Sequence, residues 1–415
     1  MTDCSIRVKP TVDAVAVCHE CGQHLVSGTV LWAGIHVCTE YECTECGSRF
    51  IEDLPVGHAV GGPFRIDIHR NQLTGPAANR AWFGEPLFRA LLDPDESEVR
   101  LVVEIRKPAP RIVLLNCIDS LYGHCVLKLL NAAAHLADPE YGVVVLVPSF
   151  LVWMIPDGVA EVWCVEMPLS LASNYFPDLH RAIERELTRF LEVRVSRAYS
   201  HPSHFRLADF TRVARHDFSK TEYRLTFIWR ADRLWLRRTL VTRVFKRLGL
   251  ERMLLTFQRR RIRKLFKQVG QDFPEAKLTV AGIGRQGRFP QWIDDLRVDR
   301  INSGETERSL CRIYSESRVV VGVHGSNMLL PSGHAGMCVD LMPEERWPNI
   351  AQDILYAPED FHGDVRMSAY RHRFVSLDTS PREVGTIIAG MLGHFQGVLQ
   401  RFVSEMRDPH ADVHR

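Results

Sequence analysis

From Pro108 onward the chain alternates short continuous apolar runs with stretches of helical spacing. Residues 111–116 (RIVLLN) read as a buried parallel strand, 121–136 as a helix, and 141–148 (YGVVVLVP) and 159–165 (VAEVWCV) as two further strands. Strand, helix and strand recur at βαβ length, which predicts a doubly wound sheet, with residues 167–199 mainly helical. A second set begins near Lys220. Residues 223–229 (YRLTFIW), 277–283 (KLTVAGI), 318–323 (RVVVGV) and 338–342 (CVDLM) read as strands, and 305–317 as the helix that leads into the third. Between the first two of these strands, residues 233–267 read as a helical insertion rich in Leu and Phe, with twelve Lys or Arg after Arg233 and one acid, Glu251. The pattern predicts an α/β protein with two Rossmann-like, doubly wound halves.

The first fifty residues follow another pattern. Six of the eleven cysteines lie there (Cys4, Cys18, Cys21, Cys38, Cys43 and Cys46), whereas Cys117, Cys125, Cys164, Cys311 and Cys338 are scattered in apolar surroundings. Cys18-His19-Glu20-Cys21-Gly22 and Cys43-Thr44-Glu45-Cys46-Gly47 are two copies of one knuckle, separated by 21 residues between Cys21 and Cys43. Two residues between thiolates let both sulfurs of a tight turn face one ion, and each following Gly permits the positive φ such a turn requires. The spacing predicts a small β zinc ribbon with Cys18, Cys21, Cys43 and Cys46 as ligands of a structural Zn2+, and a hairpin within residues 24–37. Cys38 is the competing thiol; the paired knuckles are the simpler assignment. Residues 15–53 contain a single Lys or Arg, Arg49, so a structural or partner-docking ribbon is expected rather than one that binds nucleic acid.

Composition narrows the class. With 46% hydrophobic and 25% charged residues, the 415-residue chain is neither disordered nor collagen-like, and its length suits two to four domains. Fifty-two Lys and Arg against fifty Asp and Glu leave a formal charge of +2, so nothing global demands a polyanionic partner. The longest apolar run, 141–155, is too short for a membrane span and is interrupted by Pro148; residues 1–10 have no apolar core. A cytoplasmic chain whose thiols stay reduced is expected.

Two α/β halves predict a ligand cleft beyond the carboxyl ends of their strands. In the first half those ends offer Asp119 and, after it, Tyr122-Gly123-His124. In the second they offer Arg230, Gly282-Ile283-Gly284-Arg285 and His324-Gly325-Ser326-Asn327. Guanidinium groups, backbone N–H groups exposed at glycines and a helix beginning near Ser326 or Asn327 are phosphate-binding chemistry.

Residues 319–343 (VVVGVHGSNMLLPSGHAGMCVDLMP) resemble the donor-side signature of glycosyltransferase family 61 and its relatives of GT-B architecture, where one strand ends in a His-Gly turn and a later one in an acid and a proline. Residues 303–317 and 223–233 fit the same pattern, so the resemblance covers roughly the last 190 residues, a domain-sized stretch. Tyr122-Gly123-His124 is similar to the family's aromatic-x-His helix opening, but Lys128 stands where an acid is common, and the family's glycine-rich turn is reduced to Gly325-Ser326-Asn327.

The resemblance implies an inverting, metal-independent glycosyltransferase that moves a sugar from a nucleoside diphosphate sugar to a glycan or lipid-linked hydroxyl. Arg230, Gly284, Arg285 and His324, Gly325, Ser326 and Asn327 would receive the diphosphate, and Asp340 the ribose. Asp119 would be the general base, with His124 as alternate. The layout is then a ribbon (1–55), a connecting segment (56–107), an acceptor-side half (108–215), a donor-binding half (216–405, with the insertion 233–267) and a tail (406–415).

Competing readings are an N-cap role for Asp119, a structural turn at His324, a nucleotide-sugar epimerase, and a nucleic-acid-binding protein using the ribbon and insertion. The insertion itself suits peripheral contact with an anionic cytoplasmic membrane face, or an apolar stripe packed on its own domain under a solvated basic face.

Overall fold

The computed structural model describes residues 5–26, 28–61, 64–198, 202, 205–236, 247–350, 354–355 and 366–407. The chain is mixed α/β and divides into two compact units, Met1–Phe205 and Arg206–Arg415.

In the first unit, β1 (Ser5–Lys9) precedes a small ribbon of β2 (Val15–Val17) and β3 (His24–Val26). An antiparallel five-stranded sheet follows: β4 (Val30–Ala33), β5 (His36–Glu42), β6 (Arg49–Asp53), β7 (Arg65–Asp67) and β8 (Gln72–Thr74). Then come β9 (Arg100–Ile105), β10 (Arg111–Asn116), β11 (Gly142–Pro148), β12 (Glu161–Glu166) and β13 (Glu192–Ser196). They join β1 in a six-stranded sheet of order β1-β13-β10-β11-β12-β9. Strands β10 to β13 are parallel, and β1 and β9 are antiparallel edges. Every residue of β11 is buried, as its unbroken apolar run requires of a central parallel strand. The edge strand β9 instead exposes Arg100 and Glu104, charges that discourage further pairing.

Several boundaries differ from those read in the sequence. Ser5–Lys9, placed with the ribbon, pairs with β13. The sheet that begins between the knuckles continues to Thr74, inside the segment read as a connector. Within residues 167–199 the α-helix is Pro177–Leu187, and the two-residue period of Glu192-Val193-Arg194-Val195 makes β13 instead of more helix. The hairpin expected between the knuckles is β4 with β5.

The second unit is built on β14 (Arg224–Arg230), β15 (Lys277–Ile283), β16 (Asp294–Val298), β17 (Ser317–Val323), β18 (Met337–Met342) and β19 (His372–Ser376). All six are parallel, in the order β16-β15-β14-β17-β18-β19. One face packs Phe227, Trp229, Val319, Val321, Val339 and Leu341 beneath the helices Glu251–Asp272 and Pro381–Arg407. On the other, Leu310 and Tyr314 of the helix Gly304–Ser315 cover Ile228, Ala281, Val320 and Cys338. That helix starts where Ser303 Oγ accepts the Thr306 amide at 3.2 Å, with Glu305 and Glu307 in its first turn.

The basic insertion divides at the limit of the described residues: 237–246 lie outside them, and Glu251–Asp272 is helical. Leu254, Leu255, Ile262, Leu265, Phe266 and Val269 are buried, while Arg252, Arg260, Arg263, Lys264 and Lys267 are exposed. Among the described residues most of the apolar stripe is thus committed to the protein's own core, while Leu248, Leu250, Met253 and Phe257 stay exposed. Among the described residues no helix is long and apolar enough to cross a membrane.

Candidate functional site

The two knuckles fold alike. Gly22 N–H reaches Cys18 O at 2.9 Å and Gly47 N–H reaches Cys43 O at 2.8 Å, and the glycines take φ of +74° and +70°. These turns bring the Sγ atoms of Cys18, Cys21, Cys43 and Cys46 within 4.8 Å of one another, with Cys18–Cys46 and Cys21–Cys43 both 3.5 Å apart. A tetrahedral ion with bonds of about 2.3 Å needs sulfurs about 3.8 Å apart, so the four thiols can hold one metal ion. Cys38 is not part of the group; wholly buried on β5, it faces Asp53 Oδ1 at 3.8 Å. Nearby arginines are paired with acids: Arg49 with Glu42, Arg65 with Glu52 and Arg70 with Glu20.

Beyond the end of β10, the chain turns through Asp119 into the helix Tyr122–Leu130. Asp119 Oδ1 accepts the Leu121 amide at 3.1 Å, a turn two residues ahead of the helix, not a cap on its first turn. The same oxygen lies 3.2 Å from His124 Nδ1. Oδ2 lies 2.5 Å from His58 Nε2 and 3.0 Å from Lys128 Nζ. The carboxylate therefore bridges two imidazoles and an ammonium while 1% exposed. Burial alone would raise its pKa, but Lys128 and the bonds from His124 and His58 outweigh burial and hold the carboxyl far below the usual range. Asp119 is consequently a poor proton acceptor, which corrects its assignment as base. His124, with 22% of its side chain exposed, is the member of the group that meets solvent.

His58 was missed from sequence. It comes from a short 3-10 turn, Gly57–Gly61, whose spacing signals nothing, and it stacks on Phe83 with ring centroids 4.7 Å apart. Burial pushes its pKa down despite the bond to Asp119, so the neutral ring is favoured. Lys128, the departure from the family pattern, is the buried counter-charge of Asp119.

In the second unit, Arg230 ends β14 and His324 follows β17, its neighbour in the sheet. The chain runs from β14 to β15 and β16 on one side before β17 begins the other, so both residues stand at the point where strand order reverses. Arg230 is forked onto Asp232 through bonds of 2.8 and 2.9 Å. Gly325 has φ +142°, and Arg233 lies against the side a Cβ would occupy while donating to His324 O at 3.0 Å. Gly325, Ser326 and Asn327 are half-buried. The expected helix start is a 3-10 turn, Ser326–Met328, leading into one short helix, Leu329–His334, and Asn327 Nδ2 donates back to Val323 O at 3.2 Å.

Two other assignments change with their surroundings. Gly284 and Arg285 belong to a loop organised by buried Arg297, which donates to Gly284 O, Gln286 O and Gly287 O, pairs with Asp295 and lies over Trp229. Gly284 is buried, and exposed Arg285 donates to Arg297 O at 2.5 Å. Asp340 is wholly buried, with Oδ2 2.9 Å from His372 Nε2 and 3.4 Å from His324 Nδ1. A carboxylate so enclosed is not available to a ribose, which corrects that role.

No protein-family model, curated protein or solved structure matches the chain.

Proposed function

We propose that the protein is an inverting glycosyltransferase of GT-B type, using a nucleoside diphosphate sugar and needing no catalytic metal, with a structural zinc in its ribbon. The observation that carries this reading is the topology of the second unit. Six parallel strands in third-second-first-fourth-fifth-sixth order form the doubly wound arrangement used for nucleotides, and Arg230 and the 324–327 turn sit at its switch point. There the Arg230 guanidinium and the backbone N–H groups of the turn neutralise the departing diphosphate.

His124 is the general base in this reading. Its imidazole takes the acceptor hydroxyl proton as that oxygen attacks the anomeric carbon, and the bond to the diphosphate oxygen breaks with its electron pair leaving on the nucleotide. Asp119 fixes the ring's orientation and stabilises the imidazolium, while Lys128 keeps the carboxylate ionised. The exposed basic side of Glu251–Asp272 would draw the protein to an anionic bilayer by charge, suiting a lipid-linked acceptor.

Mass spectrometry of a nucleoside diphosphate sugar panel incubated with the protein, with and without glycan acceptors, tests the reading. Acceptor-dependent release of a nucleoside diphosphate is expected. Isomerisation of the donor without acceptor would identify an epimerase instead.

A further inference from the structure

Cys338 and Asp340 are two residues apart on β18 and so share one face of the sheet, and His372 is in register with Cys338 on the adjacent parallel strand β19. One thiol, one carboxylate and one imidazole are thereby brought within 4.8 Å of one another, in a layer otherwise formed by Ile228, Ala281, Val320 and Met328. All three residues are buried: Cys338 and Asp340 have no exposure and His372 has 3%. Oδ2 of Asp340 faces His372 and His324, but its Oδ1, equally buried, has no hydrogen-bond partner among the described residues. An orphaned carboxylate oxygen in an apolar layer is costly unless a cation meets it.

We infer that Cys338, Asp340 and His372 form a second metal site, distinct from the ribbon, that takes zinc or a similar divalent transition ion. Sulfur, nitrogen and oxygen donors together are ligand chemistry for such an ion, not for magnesium or calcium. His324, 3.4 Å from the carboxylate, supports it from the turn after β17, and Phe374 stacks on His372 at 4.5 Å, fixing the ring. The ion would tie β18 to the edge strand β19 and steady the 324–327 turn. His58, Asp119 and His124 are as closely grouped, but Lys128 already places a positive charge 3.0 Å from that carboxylate.

The test is elemental analysis of the full-length protein after gel filtration, with cobalt(II) loading as a second readout. Cys338→Ala should lose one equivalent of metal relative to wild type while the ribbon's equivalent stays, and Cys43→Ser should lose the other. In the cobalt form, the equivalent remaining in Cys43→Ser should show the weaker charge-transfer absorption of a single thiolate. His372→Gln should repeat the loss where Cys338→Ala does not fold. Wild-type protein carrying only metal that Cys43→Ser removes would overturn the site, as would unchanged stoichiometry in folded Cys338→Ala. The cluster would then be a hydrogen-bonded Asp340–His372 pair.

Discussion

His124 Nδ1 lies 3.2 Å from Asp119 Oδ1, so a partly exposed imidazole is oriented by a carboxylate that is itself buried and ion-paired to Lys128. The pair separates two effects. His124→Asn should lower turnover by about 100-fold to 10,000-fold with donor affinity unchanged. Asp119→Asn should also destabilise the first unit by about 3 kcal/mol, because it strands a buried ammonium. Turnover measured beside urea unfolding checks both, and near-normal turnover in folded His124→Asn removes it as the base.

The ribbon has a thin core of Ala16, Leu25, Tyr41 and Phe50 around its cysteines. So small a core depends on its ion. Chelation, or Cys43→Ser, should open residues 15–50 to limited proteolysis while the six-stranded sheets remain protected. Equal protease resistance with and without metal would contradict a stapling role.

Acid should loosen the second unit. Burial pushes His216 down to about 4, with Arg318 and Arg371 adding to the effect and Asp217 and the Ser315 carbonyl opposing it. Burial, with Arg215 nearby, pushes His334 down to about 3. Both folded values lie below the unfolded value of about 6.5. The unfolded chain therefore takes up protons first, and the contribution is full above about pH 6.5 and lost as pH falls toward 4, at roughly 1.4 kcal/mol per pH unit for each proton. Urea midpoints from pH 7.5 to 4.5 should fall, and His216→Gln should flatten the slope; an unchanged slope in that variant would count against the assignment.

Much of this was legible in the sequence where a pattern was local. The knuckles, with cysteines at fixed spacing and a glycine after each pair, gave four converging thiols. Apolar runs located β10, β11, β14, β15, β17 and β18. The edge strands β1, β9, β16 and β19 were missed because their short, charge-bearing segments acquire meaning only beside a partner strand. The site residues followed the same division. Strand ends pointed to Asp119, His124, Arg230 and His324, but His58, Arg297 and His372 reach their partners through contacts from distant segments. Asp119 and Asp340 also prove buried, which strand-end position did not reveal, since sequence position carries no measure of exposure.

Vesicle binding should be chiefly electrostatic. With most of the apolar stripe of Glu251–Asp272 inside the core and only Met253 and Phe257 of that helix exposed, Arg252, Arg260, Arg263, Lys264 and Lys267 can attract an anionic surface but bring little apolar area to insert. At roughly 1 kcal/mol per basic residue, co-sedimentation with anionic vesicles should appear at low salt, vanish at about 0.5 M salt and be absent with neutral vesicles. Salt-resistant binding, or none at low salt, would contradict this reading of the basic face.

Calorimetric titration with a panel of nucleoside diphosphates tests the central claim most directly. Wild-type protein should bind one of them. Arg230→Ala should weaken that binding by about 10-fold to 100-fold through loss of a charge-assisted contact. Asp232→Asn, which frees the Arg230 guanidinium from its fork, should bind at least as tightly as wild type, and His124→Asn should match wild type. A protein that binds no nucleoside diphosphate, or one whose folded Arg230→Ala variant binds as tightly as wild type, would contradict the account.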